Sequence, residues 1–281
     1  MTRIVNNCVA LVCLCLFWGQ SLRAADASHS EQIKWGNESV FNEEHNTLGL
    51  FSGVLGGQIV LAGGTSDDYS RWGRNAVCLS ENAGFALYED VLSKPLAYGA
   101  SITLSDGILC IGGRDSSQCY KDVFLVTIQQ GKLYVSEDWP PLPFPLSNAA
   151  GALLDNKVYL LGGRKSVSPS RLSDSFFVLD LSNKSRGWKE LPGYPGCVRE
   201  DAILVVQNNG VSPCLYLLGG QTETEEGLSS CLTDGYVYNP QLGKWSSLGS
   251  DFPKGICAAV ASGANHILLF QKEPEDTQHL K

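Results

Sequence analysis

The stretches GQIVLAGG (57–64), DGILCIGG (106–113), NKVYLLGG (156–163) and PCLYLLGG (213–220) are four copies of one pattern. Each copy is a run of Val, Ile, Leu, Tyr or Cys that ends in two glycines. Such a run is typical of a strand buried on both faces, and the glycines indicate a sharp turn with no room for a Cβ atom. Because the first glycines stand at 63, 112, 162 and 219, the repeat measures about 50 residues.

Further strands can be placed around each copy. A first strand precedes it in LFSGVL, YGASITL, NAAGALL and EDAILVV, and a third follows it in AVCL, DVFLVTI, SFFVLDL and DGYVYNP. A tryptophan marks a fourth strand, since Trp139, Trp188 and Trp245 follow the same spacing as the glycine pairs. Four short strands per unit, with Gly-Gly after the second, is the kelch pattern. It predicts an all-β, kelch-type β-propeller, whose blades are stacked radially around an axis.

The two ends of this array of repeats are incomplete. Trp35 in QIKWGNES resembles a fourth strand without the three before it, and GICAAVASGANHILLF (255–270) supplies a first and a second strand only. The last copy runs into Gln271-Lys272 instead of a double glycine. We therefore expect a propeller of about five blades over residues 26–270, the last one incomplete, and a polar tail over residues 271–281.

The first 25 residues have the pattern of a secretory signal peptide. A short basic start is followed by the apolar run CVALVCLCLFW (8–18) and by QSLRAA (20–25), which resembles a cleavage region. The apolar run is short for a transmembrane span, although a membrane anchor is the alternative. The sequence thus predicts an exported protein, periplasmic or secreted, with no membrane span after the signal peptide.

Charge and composition argue against several classes of function. The formal net charge is −8, whereas a nucleic-acid-binding protein needs a basic stripe for the phosphates. Seven cysteines lie beyond residue 25 without a Cys-x-x-Cys spacing, so we expect no zinc site and mostly small buried side chains. With four histidines and no P-loop or Gly-x-Gly-x-x-Gly turn after a strand, we expect neither a metal nor a cofactor.

Several stretches together resemble one family of kelch propellers: LGLFSGVLGGQIVLAGG, LAYGASITLSDGILCIGG, KDVFLVTIQQGKLYV, KVYLLGG, FFVLDLSNKSRGWKELPGYPGCVREDAILVV and VYNPQLGKWSSLGSDFPKGICAAV. They are similar to the N-acetylneuraminate epimerases, or sialic acid mutarotases, over residues 35–270. Their order is rotated, which resembles the cyclically permuted branch. The resemblance implies a six-bladed propeller and an isomerase that interconverts the α and β anomers of N-acetylneuraminate, a sugar acid.

One stretch of that family is missing here. The family carries Gly-Glu-x-x-Pro-Gly-x-Arg-Thr, whose Glu and Arg are its proposed catalytic pair, and this sequence contains no such stretch. The catalytic residues are therefore unassigned, and the chain resembles a truncated family member. A natural five-bladed propeller is the alternative for the fold. A non-enzymatic propeller that binds a glycan or a protein through its loops is the alternative for the function.

Two groups of residues are candidates for substrate binding. Arg199, Glu200 and Asp201 begin a first strand, as Tyr98 does, and first strands lie innermost in a blade. Arg199 could bind a substrate carboxylate bidentately, or it could be ion-paired at the start of the strand. Tyr98 could stack against a sugar or plug the channel.

The second group lies in the loop after the first double glycine. Arg71 and Trp72 suit carbohydrate binding, because sugar faces pack on indole, and a loop capped by its own aromatic is the alternative. Arg114 and Arg164 each follow a double glycine at matching places. That repetition favours a structural role, in which they hydrogen-bond turn carbonyls.

Overall fold

The structure is a computed structural model and describes residues 48–80, 84–224 and 226–271. The predicted signal peptide, the strand predicted at Trp35 and the predicted polar tail beyond Gln271 lie outside these residues. Their boundaries stay predictions. Within the described ranges, the structure contains no helix that is long and apolar enough to cross a membrane.

Two antiparallel sheets of four strands, blades I and II, come first along the chain. Blade I consists of β1 (Phe51–Leu55), β2 (Gln58–Ala62), β3 (Ala76–Ser80) and β4 (Gly84–Tyr88). Blade II consists of β5 (Ala100–Thr103), β6 (Ile108–Ile111), β7 (Val123–Gln129) and β8 (Lys132–Ser136). In both blades each strand pairs with the next one along the chain.

Blades III and IV have the same order but carry a small hairpin between the second and third strands. Blade III consists of β9 (Ala150–Leu154), β10 (Lys157–Leu161), the hairpin β11 (Arg164–Ser166) and β12 (Arg171–Leu172), β13 (Phe176–Asp180), a 3₁₀ segment (Leu181–Arg186) and β14 (Lys189–Leu191). Blade IV consists of β15 (Ile203–Asn208), β16 (Pro213–Leu218), the hairpin β17 (Gln221–Glu223) and β18 (Ser229–Cys231), β19 (Gly235–Asn239) and β20 (Lys244–Gly249). A two-stranded sheet follows, β21 (Ile256–Ser262) and β22 (His266–Gln271).

The first strands of successive sheets contact one another, β1 with β5, β5 with β9, β9 with β15 and β15 with β21. Radial sheets whose first strands meet around an axis are the architecture of a β-propeller. The predicted kelch-type propeller is therefore confirmed, with four complete blades and the first two strands of a fifth. Among the described residues β22 pairs only with β21, and Leu268 on this edge is 44% exposed.

Apolar side chains fill the spaces between neighbouring blades, because a blade is buried on both faces. Phe51 of blade I packs edge-on against Phe124 of blade II, with 5.5 Å between the ring centres. The expectation for the cysteines holds for most of those described. Cys78, Cys110 and Cys214 are buried in second or third strands.

The double glycines connect each blade to the next. The amide of Gly113 donates a hydrogen bond to the carbonyl of Leu146 in the following blade, at 2.8 Å, and that of Gly163 donates to Arg199, also at 2.8 Å. A Cβ atom on Gly112 would lie 2.2 Å from the same Leu146 oxygen. Glycine is therefore required at this position by a carbonyl of the neighbouring blade, as well as by a positive φ of 64°.

A ring of four left-handed residues lies where the chain approaches each first strand. We call Gly49, Tyr98, Asn148 and Asp201 the axial ring; their φ angles are 64°, 59°, 55° and 52°. The amide of each later member donates to the carbonyl of the member before it, at 2.7, 2.7 and 3.0 Å. Equivalent residues of four blades are thereby brought next to one another around the axis.

The residue after each double glycine lies beside this ring. Arg114 forms a β-bridge with Ala97, and Gln221 forms one with Glu200. Ala97 and Glu200 directly precede the ring members Tyr98 and Asp201. Blades II, III and IV thus each place two side chains near the axis, one from the axial ring and one from the position after the double glycine, whereas the ring member of blade I is Gly49, which has no side chain.

Candidate functional site

A cavity of about 200 Å³ lies where these two sets of positions meet. Its lining comes mainly from equivalent positions of blades II, III and IV: Tyr98, Asn148 and Asp201 of the axial ring, Arg114, Arg164 and Gln221 after the double glycines, and in addition Tyr69, Val167 and Glu200. The axial-ring positions and those after the double glycines are equivalent in blades II, III and IV, but their side chains differ in size and charge. The cavity is therefore where the repeats have acquired different chemistry.

Asp201 is the acidic group of the axial ring, and two amides hold its carboxylate. Asn148 Nδ2 donates to Oδ1 at 2.9 Å, and Gln221 Nε2 donates to Oδ2 at 2.8 Å. The Asp201 side chain is exposed by its accessible surface, but it lies on the wall of the cavity, where neighbouring residues partly desolvate its carboxylate. This desolvation raises the pKa of Asp201 and the charge of Glu200 adds to the effect, whereas the two amide hydrogen bonds oppose it. A carboxyl group with a raised pKa suits proton transfer.

Glu200 and Arg164 form an ion pair that joins blades III and IV. Arg164 Nε donates to Glu200 Oε2 at 2.8 Å, and Nη2 lies 2.9 Å from Glu223 Oε1. The Glu200 side chain is 7% exposed and that of Arg164 18%. The structural role predicted for Arg164 is therefore correct, since it joins two blades. The predicted partners were wrong, because Arg164 binds carboxylates and not turn carbonyls.

Arg114 has a different environment at the same position of its blade. Its guanidinium carbon lies 5.1 Å from the ring centre of Trp72 and 4.7 Å from that of Tyr98. Nη1 donates a long hydrogen bond of 3.4 Å to the carbonyl of Asp115. In the described part of the chain, no carboxylate lies within ion-pair distance of Arg114.

Tyr98 lies between these groups. Its hydroxyl is 3.4 Å from the hydroxyl of Tyr69. Burial raises the pKa of Tyr98, the contact with Tyr69 raises it further, and Arg114 opposes the shift. Asp201 is near enough for its charge to contribute to the same rise. The cavity therefore holds a protonated phenol, a guanidinium and a carboxyl group close together.

Comparison with known proteins gives this site a family context. Residues 139–272 match the family model described as N-acetylneuraminate epimerase. This match covers just under half of the chain, so it shows that this part is similar to the family. The match begins at Trp139, so the permuted order inferred for the preceding blades stays a prediction.

Curated relatives include members of the N-acetylneuraminate epimerase family. The N-acetylneuraminate epimerase of Yersinia pestis (strain Pestoides F) is 30% identical over 139 residues, 48% of this chain and 33% of the relative. That of Haemophilus influenzae (strain PittEE) is 31% identical over 131 residues, 47% of this chain and 32% of the relative. A kelch domain-containing protein of Vibrio cholerae is 30% identical over 141 residues, 49% of this chain and 36% of the relative. The chain spans about a third of the length of these relatives.

Among solved structures, that of YjhT superposes with a TM-score of 0.55 at 13% identity. The superposition covers 72% of this chain and 68% of YjhT. At this identity the likeness concerns the fold. It agrees with the propeller described above.

Trp72 and Arg71 do not form the exposed sugar platform that the sequence suggested. The Trp72 indole nitrogen donates to the Tyr69 carbonyl at 3.1 Å, and the indole packs against Tyr98 with 6.3 Å between ring centres. Trp72 thus caps its own loop and supports Arg114 and Tyr98. Arg71 is exposed and is not among the described residues that line the cavity.

The binding role predicted for Arg199 is contradicted, because its side chain is fully buried. Its two terminal nitrogens donate to the carboxylate of Asp234 at 2.7 and 2.8 Å. Arg199 stands two residues before a ring member, where blades II and III have the buried Leu96 and Leu146. The ion-paired alternative is therefore correct, and the guanidinium takes the place of an apolar side chain.

We expect Arg199→Leu to lower the free energy of unfolding by about 3 kcal/mol, the low end for breaking a buried pair, since Asp234 is partly exposed. The second change Asp234→Ser should restore most of this loss. In blade III, Leu146 stands at the position of Arg199 and Ser175 at the position of Asp234. The second equivalence follows from the hydrogen bonds, since the Ser175 carbonyl accepts from the Gly162 amide and the Asp234 carbonyl accepts from the Gly219 amide. Urea unfolding of the two variants measures the difference, and equal losses would contradict the argument.

The pair also gives a pH dependence. Burial alone would raise the pKa of Asp234, but the hydrogen bonds and charge of Arg199 outweigh it and lower the pKa. A carboxyl group whose pKa is lower in the folded state than in the unfolded state stabilises the fold at pH values above its unfolded-state pKa. This stabilisation is lost as the pH falls through the folded-state pKa. The difference in stability between wild type and Arg199→Leu should therefore shrink in acid.

Arg114 and Asn148 are two of the cavity residues that sequence reasoning overlooked as ligand contacts. The available signal was positional. One residue follows a double glycine and the other precedes its first strand by two, and both positions differ from blade to blade. The residue type at these positions changes from blade to blade, whereas the neighbouring Gly-Gly does not. Such variable positions beside a constant motif indicate the residues that face the axis.

Proposed function

We propose that this protein interconverts the anomers of N-acetylneuraminate, or of a closely related sugar acid, in the cavity at the axial ring. The observation that carries the proposal is Asp201, a carboxyl group of raised pKa that lines the cavity and is oriented by Asn148 and Gln221. The family of residues 139–272 supports the class of substrate. The family's Glu/Arg stretch is not in this sequence, so the proposed site uses groups from other positions.

Mutarotation requires one proton to leave the anomeric hydroxyl and another to reach the ring oxygen. We assign the first step to Asp201, which acts as a general base in its carboxylate form. Tyr98 is the candidate donor to the ring oxygen, because it lines the same cavity and a phenol carries its proton at neutral pH. When the open chain closes on the other face of the carbonyl carbon, the two groups exchange roles.

The proposal includes export of the protein to the periplasm or beyond. It rests on the signal-peptide pattern of the first 25 residues. An exported mutarotase would act on free sugar acid before uptake.

The test follows anomer exchange directly. The α anomer of N-acetylneuraminate is released freshly in buffer, and its approach to equilibrium is recorded by proton NMR with and without the chain from residue 26 onward. We expect faster exchange with the protein, in proportion to its concentration. Binding of the sugar without acceleration would favour the non-enzymatic, glycan-binding alternative, and absence of both would remove the proposed function.

A further inference from the structure

Two arginines occupy the same position in neighbouring blades and have opposite surroundings. Arg114 and Arg164 each follow a double glycine, and both line the cavity. Arg164 is neutralised by Glu200 and Glu223. Arg114 has no acidic partner among the described residues, although it is half-buried. A partly desolvated guanidinium without a counter-ion favours the entry of an anion.

Most N–H donors of the Arg114 guanidinium have no hydrogen-bond partner among the described residues. Guanidinium donors lie in the plane of the group, whereas aromatic rings contact its faces. Trp72 and Tyr98 lie within cation–π distance of the guanidinium. Among the described residues, the guanidinium makes one hydrogen bond, the long contact with the carbonyl of Asp115. In-plane N–H groups therefore remain for a planar acceptor, and a carboxylate accepts two of them in parallel.

The position of Tyr98 depends on the glycine at the first place of the axial ring. A Cβ atom on Gly49 would lie 2.8 Å from the Tyr98 ring. Because Gly49 has no side chain, the ring can occupy this space while it packs near Arg114. The orientation of the guanidinium is thus prepared by residues of blade I and blade II together.

We propose that Arg114 binds the carboxylate of the ligand and makes the cavity selective for sugar acids over neutral sugars. This inference rests on the proposed function for its choice of site. In a 2-keto sugar acid the carboxylate is attached to the anomeric carbon itself. Arg114 would then fix that carbon in the cavity that also holds Asp201 and Tyr98.

The experiment measures binding and exchange separately. N-acetylneuraminate is titrated by ligand-observed NMR into wild type, Arg114→Gln and Arg114→Lys, with N-acetylmannosamine as the neutral probe and a hexose 6-phosphate as a tetrahedral anion. We expect about 30-fold weaker binding of the sugar acid to Arg114→Gln, and about tenfold weaker binding to Arg114→Lys, which keeps the charge but not the planar fork. Where exchange is measurable, KM should rise more than kcat falls.

Arg186→Gln is the matched control, since it makes the same change at an exposed arginine of the 3₁₀ segment. It should bind as wild type does, and N-acetylmannosamine should not distinguish Arg114→Gln from wild type. Equal loss for the acid and the neutral sugar would overturn the inference, because it would mean a general change in the cavity. So would unchanged binding of the acid by Arg114→Gln, or binding of the phosphate in preference to the carboxylate.

The same data separate this inference from the proposed function. Wild type that binds N-acetylneuraminate through Arg114 but does not accelerate anomer exchange would support the inference and remove the mutarotase. Acceleration that is unchanged in Arg114→Gln, with unchanged KM, would keep the mutarotase and overturn the role of Arg114. Wild type that binds no sugar acid would overturn the inference outright.

Discussion

We expect Gly112→Ala to lower the free energy of unfolding by about 4 kcal/mol, whereas the equivalent change Gly219→Ala should cost only about 1 to 2 kcal/mol. Both glycines have positive φ, 64° and 56°, so both variants bear the strain of a left-handed alanine. Only at Gly112 would the new Cβ meet a carbonyl of the next blade, at 2.2 Å. At Gly219 the nearest atom is 3.5 Å away.

The difference tests whether the double glycine joins blades or serves only its own turn. At Gly112 the Leu146 carbonyl must move, which also stretches its hydrogen bond from Gly113. Urea unfolding, monitored by tryptophan fluorescence, gives the two free energies. If both variants lost the same free energy of unfolding, backbone strain alone would explain why glycine is needed at these positions. The contact between blades would then contribute nothing measurable.

The repeated strands could be predicted because their signals are local. A buried strand requires a run of apolar residues, and a turn against a neighbouring carbonyl requires glycine. Both requirements act within a few residues and recur in each blade, so a single sequence displays them four times. The incomplete last sheet could also be predicted from a local signal, since Gln271 stands where the other copies have the first glycine.

The chemistry of the cavity depends instead on partners far along the chain. Arg114 and Arg164 both follow Gly-Gly, yet the acidic partners that neutralise Arg164 lie 36 and 59 residues away. Arg199 looked like part of a polar cluster, but the alignment of blades gives it the position of a buried leucine. Local sequence therefore located the residues near the axis without showing which of them had partners.

We expect Asp201→Asn to reduce the acceleration of anomer exchange at least 100-fold, the usual contribution of a general base. Asparagine tolerates the left-handed backbone at this position, where φ is 52°, so the fold should persist. Asp155→Asn is the matched control. It is also a left-handed aspartate, with φ of 49°, but lies in the turn between β9 and β10 and outside the cavity lining. Exchange measured by NMR should be unchanged in the control.

The pH profile distinguishes a base from a residue that merely shapes the cavity. Because the pKa of Asp201 is raised, kcat/KM of wild type should increase with pH through a limb above the ordinary aspartate value of about 3.9. Asn148→Gly removes one donor to the carboxylate and should move that limb to higher pH; glycine already occupies the equivalent place in blade I at Gly49. If the limb of the kcat/KM profile stayed at the same pH in Asn148→Gly, the proton transfer would belong to another group. The same conclusion would follow if Asp201→Asn kept the limb of wild type.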